Sequence, residues 1–498
     1  MMLKKKLEGL LSCLLLLSLL LNGCGNAAQD SAPADGSAAD SAGEAAAIAE
    51  EETDPAPETL ASGLPETDLD GFVLTLLRSR ASFVEHGVYT EELTGDPVPD
   101  AIYERNLFLE ETYNCDIELL PSESQHPTTD VAQYVMSGDD TVDVLLDGGQ
   151  HIANSSKNFY NLKELSYFDF EKPWWNQEFN EGITIGGKLY FTIGAYMTTA
   201  RQNIYHILFN KNIATDHGID PQEMYKLARD GEWTLDQMIA YAKLVKTDLN
   251  GDGVYDTNDR WGLIGENYVT WTMALGAGFR CAEKDDKDIP VITFGSEQNV
   301  NILEKVMELA GNRETTIFAQ RMTGVDDVWS TLSKMRTTSG CWLFSIGSLG
   351  GGMREMEDDY GVLPSPKYDE TQSRYYHDAS LGNSPTTGVP ISASAPDTVA
   401  FLLEAMSYYS YYNVLPIFYD NYLNTKLVRD EESVEMLQMI HNSIYYDLGA
   451  LYNWGDMRMI IENMANDTTS TLASQYASKS KVMQKMMDRT LKDMGLVD

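Results

Sequence analysis

An α/β fold in two lobes is what this 498-residue chain predicts, and three observations carry the prediction. From Phe72 onward, stretches with strand character alternate with stretches at helical spacing, as in a mixed sheet flanked by helices. About 430 residues follow a polar amino-terminal segment, ample for two lobes with separate cores. Only Cys115, Cys281 and Cys341 lie in that body, an odd number at wide spacing, so packed cores rather than a disulfide framework must hold it. One bridge among the three is open; three small buried hydrophobes is the reading favoured.

The amino terminus speaks to location. Lys4, Lys5 and Lys6 form a basic start, and residues 10–21 form an apolar stretch too short to span a bilayer, which reads as a signal peptide over residues 1–23. Leu21-Asn22-Gly23-Cys24 has the pattern of a lipobox, in which Cys24 is lipidated and becomes the mature terminus. Leu10-Leu11-Ser12-Cys13 also fits, but almost no apolar stretch precedes it; the plain alternative is a secretory signal with an incidental cysteine. Residues 25–70 hold twelve acidic side chains and no Lys or Arg, so 24–70 reads as a disordered acidic linker that cannot bury enough apolar surface to offset its ordering entropy.

With 36 basic and 76 acidic residues the formal charge is -40. Losing residues 1–23, with three Lys and one Glu, takes it to -40 - 2 = -42. Nucleic acid is excluded as a partner, because phosphate binding needs a basic surface.

The body opens on a strand at 72–77, a helix at 100–113 and a strand at 116–120, followed by a helix at 131–136 and a strand at 143–147. In open sheets ligands sit beyond the carboxyl ends of strands, which places Asp147, Gln150 and His151 where a ligand could touch them. A solvated loop is the ordinary alternative. Trp174 and Trp175 could stack on sugar but read better as a staple fixing a loop to the first lobe. Gly186-Gly187 turns into a further strand, residues 204–211 read as a buried strand, and Asp220-Pro221 caps a helix that stops at Gly231.

Thr234 with Gln237 is a capping box, and Met238, Tyr241, Ala242 and Val245 recur at helical spacing. That helix runs into an acidic loop with Asp248, Asn250, Asp252, Asp256 and Asp259 at positions 1, 3, 5, 9 and 12 of a calcium loop, and Gly253 at position 6. The carbonyl of Val254 completes an oxygen set for a structural Ca2+. A solvated Asp/Asn/Gly turn is the alternative, and Asp259 is shorter than the usual bidentate Glu. Residues 260–264 look like a strand, so this is not an EF-hand pair.

Gly347 to Gly352 lacks the Gly-Lys-Ser/Thr of a phosphate cradle and reads as a loop at a cleft edge. Ser394, Pro396 and Asp397 start a helix, followed by a tyrosine-rich stretch read as packing, helices at 431–446 and 456–463, and a polar tail whose Lys479, Lys481, Lys485 and Lys492 form a solvated face. His-Glu-x-x-His, Gly-x-Ser-x-Gly and clustered Cys/His are absent, and no motif marks a carboxylate pair.

The series Trp174-Trp175-Asn176, Gly187-Lys188-Leu189-Tyr190, Phe209-Asn210-Lys211, Gly231-Glu232-Trp233-Thr234, Asp248-Leu249-Asn250-Gly251-Asp252-Gly253 and Tyr360-Gly361-Val362-Leu363-Pro364-Ser365-Pro366 resembles the family 1 extracellular solute-binding lipoproteins. These are carbohydrate receptors of ABC importers, related to maltose-binding protein and abundant in Firmicutes. The resemblance covers about residues 70–498 and implies a two-lobed periplasmic-binding-protein-like fold of type II, with discontinuous lobes joined by a hinge. It puts 71–193 plus 361–428 in the amino-terminal lobe and 194–360 plus 429–498 in the carboxyl-terminal lobe, with crossings near Thr192, Tyr360 and Arg429.

It further implies that Trp342 is either a sugar-stacking residue or a core tryptophan beside the hinge, and that Trp454 is a second platform. Asp147, Arg201 and Asn203 fall where relatives bond sugar hydroxyls, although Asn203 stands where a sugar binder can carry a carboxylate. The function implied is a lipid-anchored, monomeric, non-enzymatic receptor on the extracellular face of the membrane that captures a sugar or oligosaccharide and delivers it to ABC permease subunits. A secreted carbohydrate-active enzyme, or a receptor for a peptide or other small solute, are the competing classes.

Overall fold

The amino-terminal sheet forms because three apolar strands are spaced by two amphipathic helices, which is the arrangement of parallel pairing through crossovers. The structure, a computed structural model, describes residues 60–79, 87–201, 203–338, 340–349, 351–380, 382, 384–424, 427–467 and 469–497. The signal peptide, Cys24 and the linker up to residue 59 lie outside the described residues. The linker was expected to reach residue 70, but the chain is tied down earlier. Leu60 donates its N–H to the Tyr412 hydroxyl, Leu69 donates to the Tyr113 carbonyl, and Leu64 and Leu69 pack on the core.

The described strands are, in chain order, β1 (Phe72–Arg78), β2 (Cys115–Pro121), β3 (Val144–Gly148), β4 (His206–Asn210), β5 (Trp261–Gly265) and β6 (Ala282–Lys284). They continue as β7 (Pro290–Ile292), β8 (Thr316–Phe318), β9 (Trp342–Gly347), β10 (Tyr360–Leu363) and β11 (Pro385–Gly388).

In the first sheet, ordered β11-β3-β1-β2, the strands β1, β2 and β3 are parallel and β11 is reversed. The crossover helix Pro97–Tyr113 begins where Asp96 accepts the Val98 N–H with Pro97 at the first helical position, and ends at Asn114 in the left-handed conformation. The second sheet is ordered β10-β4-β9-β5-β8, and only β4 runs against its neighbours. In each sheet the reversed strand is the one that arrives from the other lobe. β6 and β7 form a separate hairpin.

The passages between lobes run side by side, with Thr192 bridging Thr387, Ile204 bridging Ala379, and the Ser380 N–H on the Asn203 carbonyl at 2.9 Å. The return expected near Tyr360 falls inside β10 of the second sheet; the chain pairs with the first sheet only from Pro385. A third passage leads from the helix Leu415–Asn424 to the helix Glu431–His441, which packs on β10 and on the helix Pro221–Arg229.

Trp174 and Trp175 act as a staple. Both indoles are buried and donate to one carboxylate, Glu404, at 2.7 and 2.8 Å, joining their loop to the helix Pro396–Tyr409. Burial pushes the Glu404 carboxyl up to about 7 against the two indole bonds. Cys115, Cys281 and Cys341 are all buried.

Two expectations give way. Gly186 and Gly187 do turn, with positive φ and an Ile185–Lys188 bridge across them, but isolated bridges at Thr192 and Gly194 follow rather than a strand. The polar tail is a helix, Leu472–Asp493, started by a Thr471/Ser474 capping box. It buries Leu472, Met483, Met487 and Leu491 and leaves Lys481, Lys485 and Lys492 exposed. No helix among the described residues is long and apolar enough to cross a membrane.

Candidate functional site

The carboxyl ends of β1, β2 and β3 lie at Arg78, Pro121 and Gly148, beside the start of β11. Those of β5, β9 and β10 lie at Gly265, Gly347 and Leu363, beside the start of β4. Ala379 pairs with Ile204 just ahead of β4, and the six steps from Ala379 to Pro385 span at most about 21 Å. Both edges therefore open into one cleft across the passages, where α/β sheets hold ligands.

The first-lobe wall centres on Asp147, at the carboxyl end of β3 and 0% exposed. Its Oδ1 accepts the Gly148 N–H at 2.7 Å and faces His126 Nδ1 at 3.5 Å, while Oδ2 has no partner. His151 follows one helical turn later, its ring stacked on His126 with centroids 3.6 Å apart. Burial raises Asp147 to about 6, opposed by the Gly148 bond and by His126; burial and the neighbouring His126 lower His151 to about 4. Gly148 is required because the Gly382 backbone of the passage occupies the space a Cβ would need.

The second-lobe wall is aromatic and cationic. Tyr205, entering β4, stacks on Tyr268, which begins the helix after β5; the centroids are 4.7 Å apart at 19°, and both rings are half-buried. The Tyr268 hydroxyl donates to the Ile346 carbonyl at 3.0 Å and accepts from Arg336 Nη2 at 3.2 Å. Arg458 bonds Glu462 at 2.7 Å and pairs with Asp378 at 3.6 Å. Burial raises Asp378 to about 6, and the Arg458 charge opposes that shift. A stacked tyrosine pair with guanidinium and carboxylate groups around it offers an apolar face and hydrogen-bonding edges together.

Of its two readings Trp342 takes the packed one, and Trp454, expected as a second platform, is packed as well. Trp342 opens β9, is 0% exposed, and donates its indole N–H to the Met335 and Arg336 carbonyls at 3.1 Å, so it is a core tryptophan. Trp454 is likewise 0% exposed, stacked on Tyr452 and bonded to Thr490 at 2.9 Å. Asn203 lies on the passage, donating to the Thr199 carbonyl at 3.4 Å. Arg201 ends the short helix Thr198–Arg201, and its side chain lies outside the described residues. Tyr205, Tyr268, Asp378 and Arg458 carried no motif; only the strand 204–211 pointed near them.

The acidic loop sits away from the cleft, at the amino-terminal side of β5. Asp248 accepts from the Gly251 and Gly253 N–H groups at 2.7 and 2.9 Å, Asn250 from Asp252 at 2.9 Å, and Asp252 from Val254 at 2.7 Å. Gly251 and Gly253 adopt φ of 72° and 78°. Asp259, fully buried, takes the Leu249 and Asp256 N–H groups at 3.0 and 2.9 Å, and Trp261 clasps the Asp256 carbonyl at 2.8 Å. These turns shape a loop whose oxygen donors suit a hard cation.

No protein-family model matches the chain. No curated protein matches it either. Among solved structures it is similar to an ABC substrate-binding protein from Listeria monocytogenes in complex with cycloalternan, with TM-score 0.51 and 15% identity over 86% of this chain and 100% of that one. A cyclo/maltodextrin-binding protein complexed with maltotetraose matches with TM-score 0.54 and 13% identity, over 83% and 96%. A sugar transporter from Rhizobium etli in an open conformation matches with TM-score 0.53 and 12% identity, over 86% and 100%. At these identities the fold is what is shared: two mixed α/β lobes of the ABC solute-binding kind. The matched proteins are binding proteins and transporter components rather than enzymes.

Proposed function

We propose that the chain is an extracellular receptor that captures an oligosaccharide between its lobes and delivers it to an ABC permease. The observation that carries this is the pair of facing sheet edges, one of which bears the half-buried Tyr205–Tyr268 stack beside Arg336 and Arg458. Ring faces cover the apolar face of a sugar, charged groups bond its hydroxyls, and closure adds contacts that exist only in the bound state. Sugars bound by proteins of this fold support the same reading.

A thermal-shift panel of maltodextrins, cyclic glucans and other oligosaccharides, followed by calorimetry, tests it. One glycan class is expected to raise the melting midpoint, with affinity falling in Tyr205→Ala. Stabilisation by peptides and by no glycan would replace sugar with peptide, and release of reducing ends would make the protein an enzyme.

Two parts of the reading rest on the sequence. Cys24 would carry the lipid anchor, and Cys24→Ser is then expected to release the protein from the cell surface into the medium. Asp248, Asn250, Asp252, the Val254 carbonyl, Asp256 and Asp259 would hold a structural Ca2+, supported by the turns that shape their loop. A melting midpoint lowered by chelator and restored by Ca2+, with no such response in Asp252→Ala, is the expected result.

A further inference from the structure

We propose that His126, Asp147 and His151 form a binding site for a divalent transition metal, Zn2+ by the chemistry of its donors, in the first-lobe wall of the cleft. The site goes beyond the sugar reading and does not depend on it.

Two imidazoles and one carboxylate are the donor set of an open zinc site, with a fourth position left for water or a ligand oxygen. The ligand atoms of the three residues all lie within 4.8 Å of one another, the sole such group of His, Cys, Asp or Glu among the described residues. Donors bound at 2.0 to 2.2 Å in a tetrahedron sit about 3.4 Å apart, so binding draws the widest pair together by about 1.4 Å and turns the His126 and His151 rings out of their stack to point at the ion. Nitrogen donors select against Ca2+ and Mg2+.

An independent observation concerns Asp147. Its side chain is 0% exposed and its Oδ2 has no hydrogen-bond partner. A buried, unpartnered carboxylate oxygen costs stability, and a cation beside it removes that cost. The flanking groups are also held in place. Ser122 Oγ accepts the Ser124 N–H at 2.8 Å and Ser124 Oγ accepts the His126 N–H at 3.2 Å, two consecutive turns that set His126 over Asp147. Asp147 is fixed by β3, and His151 by the helical turn Gly149–Ala153 that follows it directly.

The test is Co2+ titration of the untagged, chelator-stripped mature protein, followed by its visible spectrum. One equivalent of Co2+ is expected to give d–d absorption that Zn2+ displaces. His126→Gln and His151→Gln are each expected to weaken binding at least 100-fold, while Asp252→Ala, in the acidic loop, leaves it unchanged. Absorption that persists in either histidine variant overturns the site, as does its absence in the parent protein. Should the variants fail to fold, protection of His126 and His151 in the parent protein from diethylpyrocarbonate by Zn2+, read by peptide mass mapping, decides; no protection overturns the proposal. A glycan panel without hits would remove the sugar reading and leave this result standing.

Discussion

The two walls of the cleft solve the problem of a buried carboxylate in opposite ways. On the second-lobe side Asp378 is 1% exposed and has the Arg458 guanidinium 3.6 Å away. On the first-lobe side Asp147 is equally buried; each carboxylate leaves its Oδ2 without a hydrogen bond, but the neighbours of Asp147 are imidazoles rather than a guanidinium. The first carboxylate has a permanent cation beside it; the second does not.

Removing one partner from each wall is the sharpest way to break this contrast. Arg458→Met leaves Asp378 buried without its cation and is expected to cost about 3 to 5 kcal/mol, read as a lower urea midpoint. A cost below about 1 kcal/mol would mean that water already screens the pair.

The next effect lies behind the first-lobe wall, at Glu404, which has two indoles and no cation. Its folded-state pKa of about 7 lies above the ordinary 4.5, so folding takes up a proton between those values. Stability is then greatest below about pH 4.5 and falls as pH rises to about 7, by about 3 kcal/mol in all. Asp143, Asp147 and Asp378, all raised to about 6, add slopes of the same sign, so the comparison is with Glu404→Gln. That variant is expected to lose its share of the slope, and an unchanged slope would assign the pH dependence elsewhere.

Smaller again, Tyr205→Ala is expected to weaken glycan binding by about 2 kcal/mol, some 30-fold, by removing the platform that the first-lobe wall lacks. Smallest, Asp147→Asn is expected to raise stability in chelator by about 1 kcal/mol, because it removes the unpartnered oxygen's charge. A loss of stability on that substitution would put Asp147 in the same class as Asp378.

The parallel strands of the first sheet were legible because Phe72, Cys115 and Val144 each open an apolar run separated by a helix-period stretch. Strand β11 was not: Pro385 and Gly388 bracket only two strand-favouring residues, Thr386 and Thr387, and the pairing with β3 comes from the passage between lobes. The helix Leu472–Asp493 escaped because its four buried positions, Leu472, Met483, Met487 and Leu491, are sparse in a polar background. At the site, Trp342 and Trp454 show that a tryptophan in the right place in the order of motifs is as readily core as platform. Asp147 and His151 were legible from their place after a strand. His126 was not, since only the fold brings the loop after β2 onto them.

The reversed strand β11 also sets a timetable. It completes the first sheet 385 - 148 = 237 residues after β3 ends. At a ribosomal rate of about 5 to 20 residues per second, that interval is roughly 12 to 50 s, far longer than the microseconds in which helices and hairpins form. Until then β3 has an open edge and the helices of residues 396–424 have yet to cover Pro97–Tyr113. The amino-terminal lobe, though first in the chain, therefore cannot lock until most of the chain has been made, and a nascent chain stays threadable for most of its synthesis.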